Sequence, residues 1–98
     1  TTFQLGGRTW SVSWVSLIDN DPDCMGLTDS DECTIVLKDG LAGELAHHTF
    51  YHELCHAISF TLGWDELNDD EGKIDALANI LYQFLKTKAG NVQRRNPS

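Results

Sequence analysis

The chain of 98 residues, 41% of them hydrophobic, is long enough for one small domain with a modest core and too short for a separate substrate-binding domain. Its net charge of −8 argues against nucleic acid as a partner, because the phosphate backbone would be repelled. The sequence contains no run of about 18 apolar residues, so no membrane span is predicted. No secretory leader is visible. We therefore expect a cytoplasmic protein with no membrane partner, whose three cysteines are reduced thiols.

The N-terminal part of the chain is predicted to form β-strands. Residues 8–15 alternate aromatic or β-branched side chains with polar ones, which is typical of a half-buried strand, and residues 3–5 can pair with them across two glycines. Residues 19–32 are polar and include a proline and a glycine, so they are predicted to be a loop. Residues 33–38 are apolar and β-branched and are predicted to be a second long strand.

The first predicted helix carries the most informative motif, His52-Glu53-Leu54-Cys55-His56. Residues 45–62 show apolar side chains at helical spacing, and Gly63 is placed to end the helix. Residues four apart lie one turn apart on the same face, so His52 and His56 can present two imidazoles to one metal ion. Glu53 is then placed to take a proton from a water that the metal activates. The motif predicts a catalytic zinc site with Glu53 as its general base.

A second helix is predicted after the motif helix, with Asn68 or Asp69 as its N-cap and its end near residues 88–90. Apolar residues recur along it at helical spacing. The order of elements predicts an α+β fold with a short sheet packed on the motif helix. Residues 1–90 are predicted to be a single domain, and residues 91–98 a flexible polar tail.

Two histidines leave one protein ligand of a catalytic zinc ion to be found. No histidine follows the motif, and the extension that metzincins carry is absent. The third ligand is therefore expected to be a carboxylate of the second helix, or His48. Asp75 is preferred because it lies on or beside the apolar stripe, where an unpaired charge is costly. Glu71 is the alternative, although an acid in a first turn also has a simpler explanation in the helix dipole. His48 is less favoured, because three successive turns rarely converge on one tetrahedral ion.

Residues 49–58 followed by residues 74–79 resemble the small zinc peptidases of the ImmA/IrrE type and their compact bacteriophage relatives. In those proteins a second helix carries an acidic ligand four residues before an asparagine, and Asp75 and Asn79 have that spacing. Two positions depart from the family pattern: the acid is an aspartate rather than the usual glutamate, and Cys55 replaces the glycine before the second histidine. The resemblance implies a minimal, gluzincin-like zincin domain. Some members of the family act on repressor or regulator proteins encoded nearby in mobile elements.

These observations together predict a zinc-dependent metalloendopeptidase in which His52, His56 and Asp75 bind Zn²⁺ and Glu53 is catalytic. A carboxylate or carbonyl is expected to orient each histidine through its other ring nitrogen. The predicted partner is a protein or peptide substrate, added as a strand along the edge formed by residues 33–38. The alternative is a non-catalytic protein-interaction module that zinc stabilises. A metal-free partner protein and an excised domain of a longer protein also stay open.

Overall fold

Four strands and three helices follow one another in residues 1–87, the part of the chain that the computed structural model describes. The strands are β1 (Thr2–Leu5), β2 (Arg8–Val15), β3 (Gly26–Asp29) and β4 (Thr34–Lys38), and the helices are α1 (Gly43–Leu62), α2 (Asp65–Asn68) and α3 (Glu71–Lys86). The predicted α+β class is confirmed. The expected end of the second helix at residues 88–90 and the expected tail at residues 91–98 lie outside the described residues.

The strands form one mixed sheet in the order β1-β2-β4-β3. β1 and β2 are an antiparallel hairpin in which Phe3 faces Trp10. β4 then runs parallel to β2, with Ile35 opposite Val12, and β3 pairs antiparallel to β4 on its other side. The strands predicted at residues 3–5, 8–15 and 33–38 are therefore confirmed, apart from their terminal residues. Cys33 lies outside β4 because its φ of 52° is left-handed and forms the turn from β3.

Two predictions about the sheet were wrong. Residues 19–32 are not all loop, because Gly26–Asp29 form β3; a four-residue polar strand has too little alternation for its sequence to reveal it. Residues 33–38 are not a free edge, because β4 is paired with β2 on one side and β3 on the other. Periodicity indicates that a segment is a strand but carries no information about its neighbours. Within residues 1–87 the free edges of the sheet are those of β1 and β3.

One face of α1 packs on the sheet. Ala57 lies in a buried cluster with Trp10, Ile35 and Leu37, and all four side chains are at most 1% exposed. Phe50 and Leu54 extend this contact along the helix. Their spacing of three and four residues places them in one stripe. The sheet thus holds α1, and with it the motif, in a fixed orientation.

The opposite face of α1 packs against α3. Cys55 is buried there with Ile74 and Ala78, as expected for a small apolar residue. Burial raises the pKa of the Cys55 thiol, so this side chain stays neutral near pH 7. All three cysteines are free thiols, in line with the expectation from the sequence.

The turn between α1 and α3 is short and well capped. Gly63 ends α1 with a left-handed φ of 71°, and its amide donates to the carbonyl of Phe60, as its position after the apolar stripe predicts. α2 then reverses the chain. The N-cap of α3 is Asp70, whose side chain accepts a hydrogen bond from the amide of Lys73, rather than the predicted Asn68 or Asp69.

Within residues 1–87, no helix combines the length and apolar character that crossing a bilayer requires.

Candidate metal centre

The two motif histidines lie side by side on the face of α1 that looks towards α3. Their ring centroids are 5.1 Å apart. The side chains of His52 and His56 are 22% and 16% exposed, so both rings reach the surface while their bases are held by the helix packing. The placement follows from helical geometry alone, because residues four apart share a face.

Glu71, the first residue of α3, joins both histidines through their Nε2 atoms. Its Oε1 lies 3.0 Å from Nε2 of His52, and its Oε2 lies 2.9 Å from Nε2 of His56. Each of the three residues offers a donor atom, and these atoms lie within 4.8 Å of one another. Donors of a tetrahedral zinc site, each about 2.1 Å from the ion, are separated by roughly 3.4 Å. Two imidazoles and one carboxylate at this spacing therefore fit a catalytic zinc ion with small side-chain adjustments.

The other ring nitrogen of each histidine faces an oxygen. Oδ1 of Asp75 lies 3.3 Å from Nδ1 of His52, and Oδ1 of Asn68 lies 2.6 Å from Nδ1 of His56. An oxygen at Nδ1 accepts a hydrogen bond from the N–H of that nitrogen, so the lone pair of a neutral ring is left on Nε2. Such partners orient the rings and raise their basicity as ligands. Asp75 and Asn68 are therefore placed to orient the two imidazoles.

The structure separates the two carboxylates that the sequence left as alternatives. Glu71 faces the pair of Nε2 atoms, whereas Asp75 contacts the far side of His52. Asp75 is also 64% exposed, so the burial argument that favoured it does not hold. The assignment of the third ligand stays a prediction, and the geometry favours Glu71.

Neither His48, the least favoured third ligand, nor Asn79 joins the converging group. His48 packs edge-on against Tyr82 on α3, with the ring centroids 4.5 Å apart. Asn79, which carried part of the resemblance, is exposed on α3. Asn68 was not predicted as a site residue, because no sequence pattern shows that an asparagine in a short connecting helix will meet a histidine twelve positions earlier.

Glu53 lies where α1 meets the edge strand β3. The hydroxyl of Thr28 donates to its Oε1 over 2.8 Å. Glu53 lines two surface depressions: one of about 240 Å³, shared with Thr28, His56 and Asn68, and one of about 390 Å³, shared with His52 and others. No lysine or arginine is among the described residues that line either depression. Glu53 therefore shares a depression with each motif histidine and lies beside the free edge of β3.

A larger depression of about 620 Å³ lies beyond the end of α1, around Trp64 and Lys73. It contains none of the motif residues. Both motif histidines and Glu53 line the smaller depressions, so size does not identify the site here.

Compared with models of known protein families, with curated proteins and with solved structures, the chain has no match. The geometry of the site therefore carries the proposal that follows.

Proposed function

We propose that this protein is a zinc-dependent metallopeptidase in which His52, His56 and Glu71 hold Zn²⁺ and Glu53 is the general base. One observation carries the proposal. Two imidazole Nε2 atoms and the carboxylate of Glu71 converge, and each imidazole has an oxygen partner on its other nitrogen. Glu53 shares one surface depression with His56 and another with His52. A chance pair of histidines on a surface helix has no need of these orienting partners.

The chemistry divides between the ion and the chain. Bound zinc would polarise the scissile carbonyl and make a water acidic near neutral pH. Glu53 would take the proton from that water as its oxygen bonds to the carbonyl carbon, and would pass the proton to the amine nitrogen as the C–N bond breaks. Asp75 and Asn68 keep the imidazoles in the tautomer that leaves Nε2 free for the metal.

The free edge of β3 is the docking surface that the site supports for an extended substrate, in place of the 33–38 edge expected from the sequence. β3 is paired only with β4, and Gly26, Leu27 and Thr28 line the depressions that meet at Glu53. A peptide added along this edge would pass directly over the base. The absence of lysine and arginine from the described lining residues favours a neutral or cationic segment.

The first test is the zinc content of the full chain, purified without added metal and measured by elemental analysis. About one zinc ion per chain is expected, and it should be lost in His52→Ala. The protein with bound zinc is then incubated with a peptide library, and new termini are read by mass spectrometry. Glu53→Gln should keep the zinc and lose cleavage, because the amide cannot accept the proton. A folded protein that contains no zinc and takes up none overturns the proposal.

A zinc-stabilised interaction module is the second candidate, and the small number of fully buried side chains between α1 and α3 favours it. Only Cys55, Ile74 and Ala78 form the buried cluster there among the described residues, while the donor cluster joins the same two helices. A metal could therefore serve to dock α3. In that case Glu53→Gln changes nothing measurable, and chelation of the zinc unfolds the protein.

A further inference from the structure

We propose that strand β3 positions the general base, with Thr28 as a positioning residue that holds the carboxylate of Glu53. The inference rests on the proposed role of Glu53 and adds a function for a strand that no sequence pattern revealed. Two separate observations on β3, a hydrogen bond at Thr28 and a close approach at Gly26, point to the same carboxylate.

The hydroxyl of Thr28 contacts Glu53 at two places. Its Oγ1 lies 2.8 Å from Oε1 of the carboxylate and 2.9 Å from the backbone carbonyl oxygen of the same residue. The hydroxyl has one proton, which these two oxygens share, and the shared contact keeps the carboxylate of Glu53 close to its own backbone carbonyl. Glutamate otherwise has several rotamers of similar energy, and ordering one of them costs conformational entropy. With Oε1 held by Thr28, Oε2 is the oxygen left to accept a proton.

Gly26 leaves the space that the side chains of Thr49 and Glu53 occupy. A Cβ atom at this position would lie 2.7 Å from Cγ2 of Thr49, 3.1 Å from Cγ of Glu53 and 3.4 Å from its Oε2. Gly26 and Thr28 are two residues apart, so they lie on the same face of β3. The strand therefore approaches α1 closely enough for a short threonine side chain to reach the base.

Strand β3 would therefore have two roles: its free edge would bind the substrate, and its Thr28 would position the carboxylate of Glu53. Thr28→Val keeps the shape of the side chain and removes the donor. A general base typically contributes about 10²- to 10⁴-fold to the rate, so freeing its carboxylate should lower kcat about tenfold. KM should stay within about twofold, because a peptide added along β3 would pair with the backbone of the strand, which Thr28→Val leaves unchanged. Thr28→Ser, which keeps the hydroxyl, should restore kcat.

The experiment compares the full-length, zinc-loaded protein with Thr28→Val, Thr28→Ser and Gly26→Ala on one internally quenched peptide, chosen from the best-cleaved library sequence. Thr34→Val is the matched control, because Thr34 is a half-buried threonine of β4 whose hydroxyl bonds the carbonyl of Glu32. It should leave kcat unchanged. Gly26→Ala should lower kcat by displacing Glu53 while the zinc content stays at one ion per chain.

A second measurement does not depend on activity. Thr28→Val, Glu53→Ala and the double variant form a cycle in chemical unfolding, and the double variant should lose less stability than the two single losses added together. Additive losses, or an unchanged kcat in Thr28→Val, overturn this inference and leave the peptidase proposal standing. No cleavage by the unsubstituted zinc-loaded protein overturns the peptidase proposal, and the unfolding cycle still decides whether Thr28 holds the carboxylate.

Discussion

The two faces of α1 are built differently. The face on the sheet buries large apolar groups: Trp10 and Ile35 are fully buried and Leu37 is 1% exposed. The face on α3 buries a smaller cluster, Cys55 with Ile74 and Ala78, and has a surface group of imidazoles and carboxylates beside it. Apolar burial stabilises a fold without specific partners, whereas a polar cluster contributes only when its groups are paired or bind a metal. The difference indicates that the sheet side maintains the fold, whereas the α3 side carries the donor group of the proposed metal centre.

The largest expected loss of stability comes from substitutions in the core between α1 and the sheet. Trp10→Ala should lower the free energy of unfolding by about 3–5 kcal/mol, because it leaves a cavity in the main core. Trp10→Phe should cost less, since it keeps ring contacts and removes an indole N–H that is buried without a hydrogen-bond partner. Urea unfolding followed by circular dichroism measures both. A loss no larger in Trp10→Ala than in Trp10→Phe would contradict the division between the faces.

The second-largest expected effect is the gain in stability when zinc binds between α1 and α3. Zinc at about 100 times its dissociation constant should raise the free energy of unfolding by about 2.7 kcal/mol, and EDTA should reverse the gain. His56→Ala should abolish this gain, whereas Trp10→Phe should retain it because the sheet side does not contact the ligands. Thermal unfolding with and without zinc reads out the difference. Equal stabilisation of His56→Ala and the unsubstituted protein would place the zinc elsewhere.

Two variants on α3, Glu71→Ala and Asp75→Ala, form a matched pair for a comparison of zinc affinity. Both residues are exposed, at 68% and 64%, and lie one turn apart. Loss of an orienting partner typically weakens zinc binding about 10- to 100-fold, so Asp75→Ala should fall in that range and Glu71→Ala beyond it. Competition with a fluorescent zinc chelator ranks them. The reverse order would make Asp75 the third ligand, as the sequence preferred.

The smallest effect lies at the surface end of the α1–α3 contact. Nζ of Lys86 lies 2.8 Å from Oε2 of Glu44, and this hydrogen-bonded ion pair lowers the pKa of Glu44 and raises that of Lys86. Because the folded-state pKa of Glu44 is depressed, the pair stabilises the fold above the unfolded pKa and the contribution is lost as pH falls through the folded value. In Lys86→Met the pKa of Glu44 should rise towards its ordinary value, measured by NMR titration of the carboxyl carbon. High salt should reduce the difference.

The sequence predicted best where one element decides the outcome by itself. The alternation in residues 8–15 identified β2, and the apolar spacing with Gly63 identified α1 and its end. It failed where several elements meet. β3 is too short for a periodic signal, and the interior position of β4 depends on which strands flank it.

The candidate site divides along the same line. The amino-acid sequence by itself determined that His52, Glu53 and His56 share one helix and that the two imidazoles share a face, because the helical repeat is a property of consecutive residues. Only the tertiary structure decided that Glu71 faces both Nε2 atoms and that Asp75 lies behind His52. Residues four apart on α3 present the same face, so the choice between them depends on how far α3 is offset along α1. That offset is set by the packing of Cys55, Ile74 and Ala78 and by the turn between the helices, which no local pattern encodes.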